Sequence, residues 1–330
     1  MIKIENDKID YSIYNRVTLY RNIENYPFCK ILDNDKRKRL EEEVINFALD
    51  SFKETKIIHS KTMDFYEKNL LIEKGIATKS FLDATNSKII NFPKEDLYIL
   101  LNNNNHLQFV ISNENSLKSQ YKIVSNTEDI FSKKFKFYFS HKYGFLTQNI
   151  KNAGLGLKLS ILVHIPGLIF NNKDNVLFKD LGKKGYYLRL WKNLKENNFY
   201  YIITSRLNYG LSEEKLIERF NTGIEKLIEM DKRYFNDYYL NHKENIDDII
   251  HKSFGILKYS KKIGYEDSLY LISNLLFASS VNLNLDIKND NLKSVINRLN
   301  DGYIKINYKK NEEDIEKERA NIVKDNLFME

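Results

Sequence analysis

The stretch YGFLTQNIKNAGLGLKLSILVHIPGL, residues 143–168, decides the fold class. It runs from a loop that contains two glycines into an apolar element, which Pro166 and Gly167 end. The longest apolar run, from Leu159 to Phe170, is interrupted by His164 and Pro166 and is too short to span a bilayer. We therefore expect a buried element of a globular domain here, and no membrane partner.

Short strands joined by polar turns flank this stretch on both sides. Their signal is a run of β-branched and aromatic residues between polar clusters. The predicted strands are DLYILL and HLQFVIS near residues 96–112, KFKFYFS at 134–140, YYLRLW at 186–191 and FYYIITSRLN at 199–208. In KFKFYFS the alternation predicts that Phe135, Phe137 and Phe139 share one face. Together these segments predict an antiparallel sheet.

Helical periodicity marks the remaining segments. Apolar residues recur at helical spacing between Lys36 and Phe52, and a longer helix follows Ser212, a good N-cap residue. Beyond about residue 240 the strand alternation disappears and every apolar segment has a helical period. We predict a mixed domain over residues 1–237 and an all-helical domain over residues 238–330.

Composition limits the function classes. The 330 residues include 52 Lys and Arg against 45 Asp and Glu, which gives a net charge of +7. This excess is spread along the chain, so a solvated basic surface is expected and nucleic acid is not the expected partner. Cys29 is the only cysteine, which excludes a disulfide framework and a cysteine-based zinc site. The start, MIKIENDKID, lacks the apolar core of a signal peptide, and a cytoplasmic location is expected.

Several strings, in order, resemble the ATP:guanido phosphotransferase (phosphagen kinase) family, specifically the bacterial protein arginine kinases. They are NRVTLYRNIENYPF at 15–28, NNNNHLQF at 102–109, residues 143–168, YLRLW, and the helical strings HKSFGILKYSKKI and KERANIV. The resemblance implies an α+β fold: a guanidino-kinase, glutamine-synthetase-like catalytic domain with an antiparallel sheet flanked by helices, followed by a helical C-terminal domain.

The carboxylates that this chemistry needs are replaced. Phosphoryl transfer to a guanidinium needs a carboxylate that orients the acceptor and accepts its proton. The family's acidic string corresponds here to Asn103, Asn104 and Asn105, and an asparagine takes no proton at neutral pH. If Asn104 stands where the base stood, the loss is on the order of a hundredfold to ten-thousandfold. No catalytic residue is therefore predicted to be intact.

The resemblance also implies a nucleotide site that has lost part of its charge. Arg16 and Arg189 match phosphate-binding arginines of the family. Lysine keeps the charge of an arginine but loses its bidentate fork, whereas threonine and glutamine keep neither. The residues assigned to this site are Arg16, Thr18, Gln108, Lys158, Ser160 and Arg189. The implied cofactor is ATP with Mg, if nucleotide binding is retained.

Other positions depart from the family pattern. Gly75 stands where the family has a histidine and Asn149 where it has a cysteine near the site. In the string that reads phosphoarginine, one arginine of the pair is missing and only Arg319 matches. His106 and His164 are expected to be packed core histidines, since no His, Asp or Glu cluster at metal-ligand spacing accompanies them. No metal site is predicted.

Three functions are consistent with these observations. The leading hypothesis is a pseudokinase that binds a protein partner: an arginine kinase paralogue, its zinc-finger activator or proteins of a protease pathway, with a homodimer left open. The alternative is a divergent active kinase whose base is a carboxylate from another loop, for which Glu73 is the candidate. A nucleic-acid binder using residues 133–143 is the third, but an ordinary strand with one buried face explains that alternation equally well.

Overall fold

The computed structural model describes residues 12–84, 86–173, 179, 181–191, 199–206, 209–281 and 283–328. The chain forms two compact units. The first unit comprises Met1–Ile9, Asn15–Ser160 and Thr204–Phe220, and the second comprises Asp10–Tyr14, Ile161–Ile203 and Asn221–Glu330. These compact units are defined by contacts and not by the sequence pattern, so they do not test the domains 1–237 and 238–330, which stay a prediction.

Eight strands form one sheet, in the order β2-β3-β4-β5-β1-β8-β10-β9, and β6 and β7 form a separate hairpin. The described neighbours β2–β3, β3–β4, β4–β5 and β1–β5 are antiparallel. The strands are β1 (Tyr14–Arg21), β2 (Lys56–His59), β3 (Lys88–Phe92), β4 (Leu97–Leu101), β5 (Leu107–Asn113), β6 (Phe139–Ser140), β7 (Gly144–Phe145), β8 (Leu157–His164), β9 (Tyr186–Leu190) and β10 (Tyr200–Ser205). The predicted antiparallel sheet with flanking helices is confirmed.

Helices cover both faces of the first unit's strands. They are α1 (Asn34–Ser51), α2 (Phe65–Glu73), α3 (Lys79–Asp83) and α4 (Leu117–Ser132). On one face, Phe131 of α4 packs edge-on against Phe109 of β5. On the other face, α2 and α3 contribute Leu71 and Phe81 to a cluster that includes Val110. The predicted first helix agrees with α1, where Asp33 accepts the hydrogen bond of an N-cap.

The C-terminal part of the chain is helical, as predicted. The short helix α5 (Pro166–Phe170) lies between β8 and β9. The helices that follow β10 are α6 (Glu213–Asn241), α7 (Lys243–Tyr259), α8 (Tyr265–Ser280), α9 (Leu292–Ile296), α10 (Asp301–Tyr308) and α11 (Ile315–Leu327). The core helix α8 is buried along most of its length, because its apolar residues occupy more than one stripe. Every helix in the described part of the chain is too short or too polar to span a bilayer.

One predicted strand is wrong over most of its length. In KFKFYFS only Phe139–Ser140 is a strand, and Phe139 is 53% exposed while Phe135 and Phe137 are buried. The segment begins as the end of α4, since the Phe135 N–H donates to the Phe131 carbonyl. Because the first residues of KFKFYFS continue the end of α4 and are not extended, the three phenylalanines do not share a face.

Candidate functional site

Five of the residues assigned to the nucleotide site lie on three adjacent strands of the first unit. Arg16 and Thr18 alternate on β1, and Gln108 on β5 is paired with Tyr20 in the same alternating set. On β8, Lys158 and Ser160 have the same spacing of two residues. Side chains two residues apart point to the same face of a strand. The sheet thus places these five on one surface, which we name the polar face: Arg16, Thr18, Gln108, Lys158 and Ser160.

Arg16 is held on the polar face by neutral acceptors. Its Nη1 donates to the Gly75 carbonyl over 2.8 Å and its Nη2 donates to the Ser160 Oγ over 3.2 Å. Arg16 is 9% exposed, and no carboxylate in the described part of the chain lies within ion-pairing distance of it. A guanidinium cannot lose its proton, so a buried one without a counter-ion favours an anion beside it. Two of its five N–H groups are engaged by these contacts.

Gly75 makes room for this guanidinium. Its φ is +67°, in the left-handed region, and a Cβ at this position would lie 2.1 Å from the Arg16 Nη1. The space that a side chain at position 75 would occupy is therefore taken by Arg16. The glycine at position 75 and the position of Arg16 are therefore physically coupled.

The other members of the polar face differ in their surroundings. Thr18 is buried, whereas Gln108 and Lys158 are half-buried. The Gln108 Oε1 accepts from the Asn103 Nδ2 over 2.9 Å, so this glutamine is engaged with the loop that precedes its strand. The hydrogen bond links the polar face directly to the loop of asparagines that was assigned to the family's acidic string.

Residues 102–105, which we name the amide loop, are bound to the protein itself. The Asn102 Nδ2 donates to Glu41 over 3.0 Å. The Asn105 Oδ1 accepts from the Asn22 Nδ2 over 2.7 Å and from the Gln148 N–H over 3.0 Å. Asn102 and Asn105 are buried, whereas Asn104 is exposed. The loop is a fixed, uncharged turn.

A buried carboxylate lies behind the amide loop and was not predicted. Besides accepting from Asn102, Glu41 places its Oε2 2.7 Å from the Lys88 Nζ, and the Glu41 side chain is 4% exposed. The signal was available, because Glu41 lies beside Leu40 and three residues before Val44, on the apolar stripe of α1. Its charge is already matched by a lysine, so it does not act as a free base in this arrangement.

Both predicted core histidines are packed and hydrogen-bonded. The His106 Nδ1 accepts from the Ile23 N–H over 2.9 Å, so its proton is on Nε2, which donates to the Pro27 carbonyl. Burial lowers the pKa of His106 to about 4. The His164 Nε2 lies 2.7 Å from the Ser273 Oγ, and burial lowers the pKa of His164 to about 3. Both are neutral at physiological pH.

Arg21 is a further buried arginine that was not singled out in the sequence. Its Nε donates to Glu128 over 2.9 Å and its guanidinium carbon lies 3.4 Å from the centre of the Phe145 ring. Burial lowers the pKa of Arg21, and the Glu128 carboxylate opposes this shift. Gly156 has a φ of +64°, and a Cβ there would lie 2.6 Å from the Arg21 Nη1. The glycine therefore serves a tight turn and a close approach.

The second unit contains the two remaining predicted arginines. Arg189 is exposed on β9. Arg319 is 1% exposed, and its Nε and Nη1 donate to the Leu299 and Ile263 carbonyls over 2.8 Å each. It also forms an ion pair with Asp301. A phosphoarginine ligand would have to compete with these three internal acceptors.

No metal centre is formed by protein side chains in the described ranges. No three His, Cys, Asp or Glu side chains there converge in a way that would hold an ion.

Comparison with known proteins identifies the family to which this chain belongs. The model of the ATP:guanido phosphotransferase family, C-terminal catalytic domain, matches residues 37–234, and the chain belongs to this family. Among curated relatives, a protein-arginine kinase from an Exiguobacterium species is 21% identical over 323 residues, which are 96% of this chain and 93% of the relative. The resemblance to bacterial protein arginine kinases is thereby confirmed.

Solved structures support the fold. A lombricine kinase superposes with a TM-score of 0.57 at 18% identity, over 74% of this chain and 72% of that one. The substrate-free duplicated taurocyamine kinase from Schistosoma mansoni gives a TM-score of 0.55 at 19% identity, over 69% of this chain. This chain spans 33% of the length of that duplicated enzyme. The predicted guanidino-kinase fold is confirmed.

Proposed function

We propose that this chain is a pseudokinase of the ATP:guanido phosphotransferase family, which keeps an anion-binding polar face, has lost efficient phosphoryl transfer and acts through a protein partner. The family membership fixes the ancestral chemistry as phosphoryl transfer from ATP to a guanidine. The proposal concerns what remains of it in this chain.

The observation that carries the proposal is the amide loop. The positions assigned to the acceptor-side carboxylates hold Asn103, Asn104 and Asn105. Asn103 and Asn105 are hydrogen-bonded within the protein, as is Asn102 before them. An amide neither accepts the guanidinium proton at neutral pH nor supplies negative charge. The hydrogen bonds of Asn102 and Asn105 also hold the loop in place. A rotation of the loop backbone that would bring a neighbouring carboxylate into it would break these bonds.

Nucleotide binding is supported by the surroundings of Arg16. This guanidinium is buried beside two neutral acceptors and has three N–H groups beyond those contacts. Arg16 and Lys158 would hold phosphate oxygens, and Ser160 would position Arg16. When bound, ATP supplies the transferable phosphoryl group. The chain's own residues bind and orient it, while the acceptor side lacks the group that would take the proton.

The test combines binding and turnover. We expect calorimetric titration to show Mg-ADP binding that Arg16→Met weakens at least about tenfold, as for a lost charge-assisted contact. We expect arginine phosphorylation of a basic model protein, followed with radiolabelled ATP, to be no faster for the wild type than for Arg16→Met. Wild-type turnover that Arg16→Met or Arg189→Ala abolishes would overturn the proposal.

A restored loop gives the matched control. Asn103→Glu with Asn104→Glu returns two carboxylates to half-buried and exposed positions, and we expect turnover to rise at least about tenfold, the lower part of the range for acid–base catalysis. Asn103→Gln with Asn104→Gln has the same size without the charge and should leave turnover unchanged. Equal rates in both pairs would show that charge in this loop is not what is missing.

A divergent active kinase is the second candidate, and one observation favours it. Glu73 is half-buried and lies two residues before Gly75, the residue whose carbonyl holds Arg16. A carboxylate near the polar face is thus provided by α2. This candidate predicts measurable wild-type turnover that Glu73→Gln removes while Mg-ADP affinity stays within about twofold.

The partner in this proposal is a protein. An arginine kinase paralogue, a zinc-finger activator, proteins of a protease pathway and a second copy of this chain are the alternatives that the family resemblance suggests. Analytical ultracentrifugation of the chain alone decides the last of these. A concentration-dependent dimer would identify self-association, and a monomer at all concentrations would direct the search to the other three.

A further inference from the structure

A basic and apolar surface surrounds the β6–β7 hairpin. The two large apolar side chains of the first unit with the greatest exposure in the described ranges are Ile150, 81% exposed, and Ile31, 74% exposed. Tyr143 and Phe139 follow on the hairpin at 59% and 53%. With their neighbouring lysines they form what we name the hairpin surface: Lys30, Ile31, Phe139, Lys142, Tyr143 and Ile150. Exposed apolar groups gathered in this way mark an interaction site.

The hairpin surface is held in place by backbone hydrogen bonds. The Tyr138 N–H donates to the Asn22 carbonyl over 2.8 Å. Phe145 and Gly154 exchange both of their backbone hydrogen bonds. The Lys30 N–H donates to the Gln148 side chain over 2.8 Å, which joins the segment before α1 to the loop after β7. A partner would therefore meet a preorganised surface and would pay little ordering entropy.

The segment that contains the hairpin carries charge of one sign. Residues 133–152 contain five lysines, one histidine and no aspartate or glutamate. Two acidic residues close in sequence to Lys30 and Ile31 are already paired, Glu24 with Lys136 at 2.7 Å and Asp33 with Lys36 at 3.1 Å. Within the described part of the chain, no carboxylate lies within ion-pairing distance of Lys30 or Lys142. The positive potential here is left for a ligand to complement.

We propose that the hairpin surface docks an acidic segment of a protein partner, in which carboxylates flank aliphatic anchors. The lysines would pair with the carboxylates, while Ile31 and Ile150 would cover the anchors. This inference rests on the proposed function, because it names the chemistry of that partner. The ligand proposed here is negatively charged, whereas a guanidinium substrate is positively charged and would be repelled by this cationic surface.

The side chains favour a protein over nucleic acid. Single-stranded nucleic acids are bound by stacking bases on open aromatic faces. Here the Phe145 ring already carries the Arg21 guanidinium, and the Lys142 Nζ lies 5.2 Å from the centre of the Tyr143 ring. The greatest exposure belongs to isoleucines, which offer no stacking face.

The hairpin surface also adjoins the amide loop. The Gln148 N–H donates to the Asn105 Oδ1, while the Gln148 side chain accepts from Lys30. A ligand on the hairpin surface would thus lie next to Gln148, which is hydrogen-bonded to the amide loop. The loss of acidic side chains and the basic docking surface are two parts of one region.

The experiment uses defined peptides with the full-length chain. The probe is a fluorescein-labelled peptide of Glu-Glu-Leu repeats, and binding is measured by fluorescence anisotropy at increasing salt. Lys30→Glu with Lys142→Glu, and separately Ile31→Ser with Ile150→Ser, should each weaken binding about tenfold, and salt should weaken wild-type binding. These side chains are exposed, so the variants should fold, which thermal melting checks.

The controls separate the occupants. Lys226→Glu with Lys232→Glu changes the net charge equally at exposed positions on α6 and should alter affinity less than about twofold. The proposal is overturned if this control weakens binding as much, if a Lys-Lys-Leu peptide binds equally well, if a poly-dT oligonucleotide binds more tightly, or if no peptide binds. None of these outcomes changes the turnover assay, so failure here is distinguishable from failure of the pseudokinase proposal.

Discussion

Three buried arginines of this chain differ in how their charge is compensated. Arg21 pairs with Glu128 and Arg319 pairs with Asp301, whereas Arg16 contacts only a backbone carbonyl and a hydroxyl in the described part of the chain. Their exposed fractions are small in all three cases, at 3%, 1% and 9%. Burial alone therefore does not separate a structural arginine from a ligand-binding one.

The carboxylate makes the difference. A buried arginine with an internal counter-ion is satisfied and holds parts of the fold together. One without a counter-ion retains positive potential that an anionic ligand can use. Arg319 therefore acts as a structural residue in this fold, whereas the phosphate-binding role proposed for Arg16 is compatible with its uncompensated charge. Binding and stability measurements on matched variants test this distinction directly.

The largest effect is expected from removing the paired arginines. Arg21→Met should lower the free energy of unfolding by about 3–5 kcal/mol, because it leaves the Glu128 carboxylate, whose side chain is only 12% exposed, without its counter-ion. Arg319→Met should fall at the low end of that range, since Asp301 is 45% exposed and water can solvate it. Arg16→Met orphans no carboxylate and should cost less than about 1 kcal/mol. Urea unfolding measures all three.

A second substitution checks the cause. In the Arg21→Met background, Glu128→Gln removes the orphaned charge and should restore part of the lost stability. If the double variant is as unstable as the single one, lost packing on the Phe145 ring, and not the uncompensated charge, explains the cost. A loss for Arg16→Met as large as that for Arg21→Met would end the distinction between the two sites.

The next effect concerns His106. A buried histidine can become neutral by losing its proton, whereas a buried arginine stays charged. Its folded pKa of about 4 is below the ordinary 6.5, so its contribution is fully present above pH 6.5 and is lost as the pH falls towards 4. At pH 5 the loss should reach about 2 kcal/mol. Urea unfolding at pH 7 and pH 5 should show a smaller difference for His106→Gln than for the wild type.

A smaller effect than that at His106 is expected at Gly75. Gly75→Ala should cost about 1 kcal/mol, because the φ of +67° strains any other residue, while the flexible end of Arg16 can move aside. The displaced guanidinium should weaken Mg-ADP binding as well. Gly255→Ala is the control, since a Cβ at this helical position meets nothing within 4 Å and should leave stability equal or higher. In an Arg16→Met background the effect of Gly75→Ala on binding should vanish.

Sequence patterns predicted the regular elements well and the site contacts less well. The apolar spacing of α1 and the alternation of β4 and β5 arise from one buried face, so they are visible in the sequence. KFKFYFS shows the limit, because its alternation belongs to a helix end followed by a two-residue strand. The same local pattern is compatible with both, and only the neighbouring elements decide between them.

Among the site residues, the ordered strings assigned positions to a nucleotide site, and that assignment stays a prediction. They did not predict Glu41 or Arg21, both of which depend on partners far away in the sequence. Glu41 left a trace as a charge on an apolar stripe, and Arg21 left one in the glycine at position 156 that makes room for it. Each trace becomes specific only when the partner is known.

By itself, the amino-acid sequence determined the family, the antiparallel sheet with helices around it, and the run of amides that includes positions 103–105, because these depend on residue identity and short-range periodicity. Only the tertiary structure decided that Arg16 has neutral partners, that Arg319 pairs with Asp301, and that the Lys30 N–H donates to the Gln148 side chain. Such facts depend on contacts between residues far apart in the chain. Strand register and burial create those contacts, and no local pattern encodes them.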